Sequence, residues 1–248
     1  MKILTMPVTK EEEMSSDRKV VFDPRDTDPF YTEMMRGLRA KVEHRIDSAG
    51  LRTLGLTSAV AGEGKTKIAI HLAVNMASTG RKKVLLMDLD LRKSDIAREM
   101  RIGATPGLSE YLTGAASREE ILRITSIRGL YLVPAGAPVH SPADMLAGEK
   151  FRTFLKELRG HFDLLLLDTP PILAVPDALT VSEQLDAFIL VFRLSYTPYK
   201  MLRQAVDELG TGKIMGVVLN GDEKKSDKYY SRFYGNYYSP SRIEQQKS

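Results

Sequence analysis

Short apolar segments recur along the chain, and each is followed by a polar or glycine-containing turn and then by a stretch with helical spacing. Six of them are rich in branched aliphatic residues: LRTLGLTS, KVLLMDLD, GLYLVPAG, FDLLLLDT, DAFILVFR and KIMGVVLN. Strands that are apolar along their length are typical of a parallel sheet buried on both faces. Because right-handed crossovers place the intervening helices on both faces, the pattern predicts an α/β fold with one doubly wound, mostly parallel sheet.

The two ends of the chain lack this rhythm. Residues 1–27 are polar, with an apolar stretch too short for a secretory signal, and we expect a flexible lead. Residues 28–48 open with an Asp-Pro pair and continue without helix breakers, which predicts a capped helix. We therefore expect one domain over residues 28–222, followed by a disordered tail over residues 223–248, which has neither period.

Composition narrows the class of protein. With 43% hydrophobic and 27% charged residues the chain has the balance of a globular protein, and no apolar run reaches the ~20 residues that cross a bilayer. The absence of cysteine excludes disulfides and thiolate metal sites and agrees with a reducing cytoplasm. The net charge of +4 is concentrated at the end, where six Lys/Arg and only two acids follow residue 223.

The loop after the first predicted strand has the chemistry of a phosphate site. It reads SAVAGEGKT and is followed by the helical stretch KIAIHLAVNMAS. In such a loop, amides and a helix N-terminus cradle phosphates, a lysine reaches the β- and γ-phosphates, and a threonine binds Mg²⁺. The first glycine of the G-x-x-x-x-G-K-T pattern is replaced by Ala59. The predicted nucleotide-binding residues of the loop are Gly62, Glu63, Gly64, Lys65, Thr66 and Lys67.

Acidic residues end two other apolar segments. Asp88 and Asp90 lie in VLLMDLDLR, and Asp168 lies in LLLLDTPP. Because the carboxyl ends of parallel strands face one crevice, these acids should converge with the phosphate loop. Clustered acids repel one another and are costly to desolvate, which indicates a bound metal beside the triphosphate. We predict an ATP site with Mg²⁺ held by Thr66, Asp88 and Asp168.

Three polar residues near the predicted strand ends have open roles. Asn220 either hydrogen-bonds adenine or begins a turn with Gly221. Arg92 either serves the phosphates or pairs with an acid. Arg193 either faces the crevice or forms an ordinary surface ion pair.

These motifs resemble those of the P-loop ATPases with a second, strand-borne D-x-D motif. That group includes the MinD/ParA partitioning ATPases and the bacterial tyrosine kinases of capsule and exopolysaccharide synthesis. Partitioning ATPases carry a lysine where this chain has Val60, whereas the kinases often read P-G-E-G-K-[ST], which AGEGKT matches except at Ala61. VLLMDLDLRKSDI is similar to the kinases' Walker A′ motif and LLLLDTPP to their Walker B, and GLSEYLTG and SPADML also look like segments of that family.

The resemblance to the kinases implies transfer of phosphate from ATP to tyrosine. It implies that Asp88 orients and deprotonates the incoming tyrosine hydroxyl, with Lys65 on the phosphates and Asp90 assisting at the metal. It also implies that an E-x-x-R-x-x-R motif in the N-terminal helix packs copies of the domain into a ring-shaped homo-oligomer. The motif residues are Glu33, Arg36 and Arg39, and the alternative is a solvated helix face.

Five of the ten tyrosines of the chain fall in SDKYYSRFYGNYYSPS, whose polar context cannot bury them. The resemblance implies that they are phosphorylated in trans: Tyr229, Tyr230, Tyr234, Tyr237 and Tyr238. It further implies a cytoplasmic kinase that a membrane-anchored activator of the polysaccharide chain-length or export type recruits to the inner face of the membrane. A tyrosine phosphatase would oppose it, and the pair would regulate exopolysaccharide or capsule synthesis.

Two other functions compete with this one. A partitioning-type ATPase switch without kinase activity would use the same loop and acids, but Val60 and the tyrosine-rich tail disfavour it. A nucleic-acid-binding protein would use basic residues interleaved with aromatic ones. Only the tail has that composition, and it is short and interrupted by acids, so we expect no nucleic-acid partner.

Overall fold

A single mostly parallel sheet organises the computed structural model, which describes residues 29–221. Within that range the strands are β1 (Thr53–Ser58), β2 (Val84–Asp88), β3 (Arg123–Ile124), β4 (Leu130–Val133), β5 (Leu164–Asp168), β6 (Ala187–Arg193) and β7 (Ile214–Asn220). Their spatial order is β3-β4-β2-β5-β1-β6-β7, and every neighbouring pair is parallel except β3 and β4. The predicted doubly wound, mostly parallel sheet is confirmed.

Helices cover both faces of this sheet, as the crossover rule requires. They are α1 (Pro29–Ala49), α2 (Lys65–Ala77), α3 (Ile96–Glu99), α4 (Leu108–Thr113), α5 (Arg118–Ile121), α6 (Pro142–Ala147), α7 (Glu149–Arg159), α8 (Asp177–Ser182) and α9 (Tyr199–Leu209). One hydrophobic core joins α1, α2 and α3 to one face, and a second core joins the remaining helices to the other. No helix in the described range is long and apolar enough to span a bilayer.

The strand β3 differs from the sequence prediction, which contains six strands rather than seven. It pairs antiparallel with β4, with Arg123 opposite Leu132. A strand of two residues is too short to show a hydrophobic pattern. Its extended conformation comes from its pairing with β4.

The long helix α1 lies close to its predicted range. It packs on the sheet through Met35, Val42 and Ile46, which are buried in the first core. The predicted lead over residues 1–27 lies outside the described residues. So does the predicted tail over residues 223–248, with its proposed phosphorylation sites Tyr229, Tyr230, Tyr234, Tyr237 and Tyr238.

Strand register brings the polar strand ends to one edge. In the parallel pair β2–β5, Asp88 lies directly beside Asp168. Further along the same edge, where β6 pairs with β7, Arg193 lies beside Asn220. The strand β1 runs between β5 and β6, so the loop that follows it opens between these two groups of residues.

Candidate active site

The loop after β1 forms a cradle that ends at the first residue of α2. Gly62 and Gly64 have φ angles of 83° and 89°, in the left-handed region that favours glycine. Gly64 has a second reason to be glycine, because a Cβ atom there would collide with the side-chain amide of Asn220. The backbone of the loop therefore leads directly into the start of α2, whose unpaired N–H groups and dipole favour a bound phosphate.

Lys65 and Thr66, the first two residues of α2, contact acids from two other strands. Thr66 donates a hydrogen bond of 2.6 Å from Oγ1 to Oδ2 of Asp168. Nζ of Lys65 lies 3.6 Å from that same oxygen and 3.7 Å from Oδ2 of Asp90. The structure thus assembles the loop lysine, the loop threonine and two of the predicted acids in one cluster.

Asp88 is fully buried beside this cluster, and both of its carboxylate oxygens accept hydrogen bonds. Oδ1 accepts from the backbone N–H of Asp90 at 3.0 Å. Oδ2 accepts from Oγ of Ser94 at 2.8 Å and from the N–H of Ile96 at 3.3 Å. The turn between β2 and α3 therefore holds Asp88 in one orientation against Asp168, its neighbour in the sheet.

The electrostatics of the cluster follow from burial and from crowding of like charges. Burial and the negative charge of Asp168 raise the pKa of Asp88 to about 7. Burial also raises the pKa of Asp168. Burial alone would lower the pKa of Lys65, but the charges of Asp168 and Asp90 outweigh it, and that pKa is raised. The lysine therefore stays protonated, and Asp88 is more basic than an exposed aspartate.

The donor set fits a magnesium ion only if phosphates and water complete its shell. Oδ1 of Asp168 is buried and has no hydrogen-bond partner among the described residues, so it can accept from a metal-bound water. Within residues 29–221, no three carboxylate or imidazole groups are placed to enclose a metal by themselves. This agrees with the chemistry of Mg²⁺, which keeps several waters and binds one or two protein groups together with substrate phosphates.

Glu63 has a role that the sequence analysis missed, because its side chain holds the loop in place. It is fully buried, and Oε2 accepts from the N–H of Val60 at 2.8 Å. Oε1 accepts from the N–H of Arg193 at 3.1 Å and from Oγ1 of Thr197 at 2.7 Å. This buried carboxylate fastens the phosphate loop to the segment after β6. Glu63 was predicted to bind nucleotide, and only its backbone is left for that purpose.

A second layer of contacts joins the same two segments at the surface. Arg193 donates from Nη1 to the carbonyl oxygen of Gly62 at 3.2 Å, so its side chain lies against the phosphate loop, and its role in the crevice stays a prediction. Tyr196 donates from its hydroxyl to the carbonyl oxygen of Ala61, also at 3.2 Å. The guanidinium of Arg193 lies 5.2 Å from the centre of the Tyr196 ring. We call residues 193–197, with these contacts, the clasp.

Lys67 points to α1 rather than to the acids. Its ammonium lies 5.4 Å from the ring centre of Tyr31, whose ring meets that of His71 edge-on at 4.9 Å. Burial raises the pKa of Tyr31 to about 12. Burial and the charge of Lys67 lower the pKa of His71 to about 4. A role of Lys67 toward nucleotide would therefore use its backbone, and the cluster ties the start of α1 to the helix that follows the phosphate loop.

Two of the open roles are answered by geometry. Arg92 pairs with an acid: Nε lies 3.0 Å from Oδ2 of Asp177 and Nη2 lies 3.3 Å from Oδ1. Asn220 donates from Nδ2 to the carbonyl oxygen of Glu63 at 2.8 Å, and Oδ1 accepts from the N–H of Gly221 at 2.9 Å. Asn220 therefore supports the phosphate loop and forms the predicted turn. Its contact with adenine stays a prediction.

The E-x-x-R-x-x-R residues lie on α1, away from the acids. Arg36 pairs with Glu33 at 3.2 Å within the helix. Nε of Arg39 lies 3.9 Å from Oε2 of Glu43, which Arg81 contacts at 3.1 Å. These contacts are compatible with a solvated face and with an intersubunit surface, so the predicted ring stays a prediction.

This geometry places the chain among the P-loop ATPases, which bind nucleotide where a strand turns into a helix through a glycine-containing loop. A family model described as an AAA domain matches residues 52–205, more than half of the chain. In sequence, the chain is 35% identical to the tyrosine-protein kinase CpsD of Streptococcus pneumoniae, over 75% of this chain and 84% of the relative. It is 29% identical to the tyrosine-protein kinase ptk of Acinetobacter johnsonii, over 83% of this chain.

Solved structures agree with these relatives. The kinase domain of the Escherichia coli tyrosine kinase ETK is 29% identical, with a TM-score of 0.72, and the match covers 77% of this chain and 75% of that one. The septum site-determining protein MinD of Pyrococcus horikoshii is 22% identical, with a TM-score of 0.56 over 68% of each chain, and shows the fold alone. The chain belongs to the bacterial tyrosine-protein kinase family. It spans 28% of the length of the Acinetobacter relative, and 84% of CpsD.

Proposed function

We propose that this protein is an ATP-dependent protein-tyrosine kinase that phosphorylates the tyrosines of its own C-terminal segment in trans. The observation that carries the proposal is Asp88, a buried carboxylate that is oriented by three hydrogen bonds beside the phosphate-site cluster. An ATPase that uses only water as acceptor has no need for the crowded tail tyrosines. The names of the relatives point the same way.

Nucleotide binding rests on the loop and on Lys65. The amides of the loop and the start of α2 surround the phosphates, and the lysine supplies a fixed positive charge. Its contacts to Asp90 and Asp168 keep it at the mouth of the loop before nucleotide arrives. Phosphoryl transfer needs mainly such positioning and charge neutralisation, so these residues supply most of what the reaction requires.

Thr66 and Asp168 are the residues that would hold Mg²⁺, with Asp90 close by. The third predicted ligand, Asp88, has both carboxylate oxygens engaged in hydrogen bonds. When bound, the ion neutralises charge on the phosphates and orients them. The hydrogen bond from Thr66 to Asp168 brings Oγ1 of Thr66 and Oδ2 of Asp168 together. It leaves Oδ1 of Asp168 free to accept from a water bound to the ion. Requirement for a divalent cation is therefore part of the proposal.

Acceptor activation is assigned to Asp88. A neutral phenol with a pKa near ~10 is a poor nucleophile, so a nearby base that receives its proton speeds the transfer. Burial raises the pKa of Asp88 to about 7, which makes this carboxylate a stronger base than an exposed aspartate. The hydrogen bonds from Ser94 and Ile96 keep it from rotating away.

The names of the relatives support a proposal for the setting in the cell. One relative, from Klebsiella pneumoniae, is named as a tyrosine-protein kinase in the cps region. We propose that the kinase regulates exopolysaccharide or capsule synthesis or export from the cytoplasmic side of the membrane. A membrane-anchored activator would recruit it there, copies would assemble through Glu33, Arg36 and Arg39, and a tyrosine phosphatase would reverse the modification.

The test is detection of phosphotyrosine on purified full-length protein before and after incubation with ATP and Mg²⁺. We expect a strong signal that needs both, is absent with EDTA, and is absent from the Lys65→Met variant. ATP hydrolysis without phosphotyrosine would instead favour a switch ATPase and would overturn the proposal.

A further inference from the structure

Tyr196 is exposed beside the phosphate loop, and the active site does not account for it. The residue is 55% exposed to solvent. A single hydrogen bond of 3.2 Å, to the carbonyl oxygen of Ala61, holds its hydroxyl. Ser195, the preceding residue, has a φ angle of 58°, in the left-handed region that is unusual outside glycine. The backbone thus turns sharply to present this ring at the loop.

We infer that Tyr196 is a second phosphorylation site of this kinase, modified by another copy, and that its phosphorylation weakens nucleotide binding. The inference rests on the proposed tyrosine-kinase activity. In the transfer, the oxygen of the Tyr196 hydroxyl forms a bond to the γ-phosphorus of ATP held by the second copy. The bond from that phosphorus to the bridging oxygen breaks, ADP leaves with the electron pair, and the phenol proton passes to Asp88 of the second copy.

Tyr196 is more accessible to a second copy of the kinase than most other tyrosines of the described range. Tyr31, on α1, is half-buried with its ring 4.9 Å from that of His71, and the ring of Tyr111 lies 4.4 Å from that of Phe154. Tyr199 is also exposed, at 72%, but it begins α9, so its backbone is fixed in a helical turn. Tyr196 lies in the turn before that helix, where lifting the side chain breaks one neutral hydrogen bond.

Arg193 makes the product state favourable. Its guanidinium lies 5.2 Å from the Tyr196 ring centre and donates to the carbonyl oxygen of Gly62. A phosphate on Tyr196 would carry about −1.5 to −2 charges and three acceptor oxygens, and arginine is the preferred partner of such a group. We therefore expect the guanidinium to move from the carbonyl oxygen of Gly62 to the phosphate and to form an ion pair with it.

The phosphate loop would lose two contacts in that exchange. A phosphotyrosine has no hydroxyl proton to donate to Ala61, and its negative oxygens repel the carbonyl oxygen there. The carbonyl of Gly62 loses the hydrogen bond from Arg193. The buried bonds of Glu63 stay in place, so the loop keeps its fold and becomes less rigid. Added negative charge beside the cradle also opposes a bound polyphosphate.

Mass spectrometry of the full-length protein after incubation with ATP and Mg²⁺ tests the site. Cleavage after Arg193 and Lys200 gives the peptide LSYTPYK, which contains both exposed tyrosines of this region. The Tyr199→Phe variant is the matched control, because its peptide keeps Tyr196 alone. We expect phosphate on the peptide in wild type and in Tyr199→Phe, and none in Tyr196→Phe.

The consequence is measured by titration with a fluorescent ADP analogue before and after the same incubation. The five tail tyrosines are replaced by phenylalanine in all proteins of this experiment, so that tail phosphorylation cannot contribute. We expect about tenfold weaker binding after incubation, because the phosphate loop has lost two hydrogen bonds and carries added negative charge beside the bound phosphates. Adding Tyr196→Phe should abolish this change.

The outcomes separate the inference from the proposed function. Tail peptides that carry phosphate while LSYTPYK carries none would overturn the inference and leave the kinase in place. Phosphate on Tyr196 with unchanged ADP affinity would overturn the regulatory role. Absence of phosphotyrosine from the whole wild-type chain would overturn the proposed function, and this inference with it.

Discussion

At the scale of single residues, Lys65 is the most exacting test of the phosphate site. Its ammonium is held 3.6 Å and 3.7 Å from two carboxylate oxygens at the phosphate loop, where its charge can bind phosphate. We expect Lys65→Met to lower the rate of phosphoryl transfer at least about 100-fold in a protein that still folds cooperatively. Lys156→Met, on the exposed face of α7, is the control and should keep wild-type turnover. Turnover near wild type in Lys65→Met would contradict the site assignment.

Asp88 and Asp168 are neighbours in the sheet, and we expect their roles to separate. Asp88→Asn removes the base but keeps the shape, so transfer should slow about 100-fold or more while nucleotide affinity stays near wild type. Asp168→Asn removes the negative charge beside Thr66 and Lys65, so nucleotide affinity and Mg²⁺ dependence should weaken together. Calorimetric titration with ADP, with and without Mg²⁺, measures both. Indistinguishable phenotypes for the two variants would show that these roles are wrongly divided.

His71 predicts a pH effect on stability. Its pKa falls from about 6.5 in an unfolded chain to about 4 in the fold, because of burial and the charge of Lys67. The unfolded chain therefore binds the proton more readily between these values, so the stability linked to His71 is present above pH 6.5 and is lost as the pH falls toward 4.

The measurement compares urea unfolding of wild type and His71→Gln at pH 7.5 and pH 5. We expect wild type to lose more unfolding free energy than the variant between these two pH values. Other titrating groups act in both proteins and cancel in the difference. His44→Gln, at an exposed position of α1, is the matched control and should behave as wild type. An equal loss in wild type and His71→Gln would contradict the prediction.

At the scale of elements, the buried contacts of Glu63 connect β6 to the phosphate loop. Glu63→Gln places an amide N–H where the loop already supplies donors, so we expect a loss of about 1–3 kcal/mol of unfolding free energy and weaker nucleotide binding. Thr197→Val removes one of the donors and should have a smaller effect of the same sign. Denaturant unfolding and ADP titration measure both quantities. A Glu63→Gln protein with wild-type values for both would show that the carboxylate does not hold the loop.

The helix α1 carries the predicted assembly surface. Replacing Glu33, Arg36 and Arg39 with alanine should shift sedimentation toward the monomer and reduce phosphorylation in trans. A control with Glu149→Ala and Arg152→Ala removes another exposed pair of the same i, i+3 spacing, at 2.9 Å on α7. Exposed pairs are worth under ~1 kcal/mol, so the control should behave as wild type. Unchanged sedimentation in the α1 variant would mean that its charges only face solvent.

The elements also show how far a sequence can be interpreted. Continuous apolar runs predicted six strands correctly. Five of these are mostly buried, which leaves a strong local pattern, whereas β7 lies at the sheet edge and is only partly buried. The meeting of Lys65 with Asp168 was predictable because parallel strands end at one edge. The clasp was not, because Glu63 meets donors 130 and 134 positions away, and no local pattern marks them. The two-residue β3 was missed because it is defined by its partner alone.

At the scale of the whole molecule, the candidate active site lies at one edge of the sheet, and the predicted assembly surface lies on α1. The phosphate cradle, the acids and the clasp all lie at the carboxyl ends of strands. The helix α1 reaches the same region through Lys67, which lies over the Tyr31 ring one residue beyond Thr66. The helix that carries the proposed assembly surface is therefore in contact with the helix that follows the phosphate loop, as the proposed transfer between copies would use.

The measurement that tests this account most directly mixes two proteins. One carries Lys65→Met with an intact tail, and the other is active but has phenylalanine at Tyr229, Tyr230, Tyr234, Tyr237 and Tyr238. After incubation with ATP and Mg²⁺, mass spectrometry should find phosphate on the tail of the Lys65→Met protein, which cannot label itself. A tail without phosphate in this mixture, while the wild-type chain labels its own tail, would contradict transfer between copies. A tail without phosphate in both would contradict the kinase assignment itself.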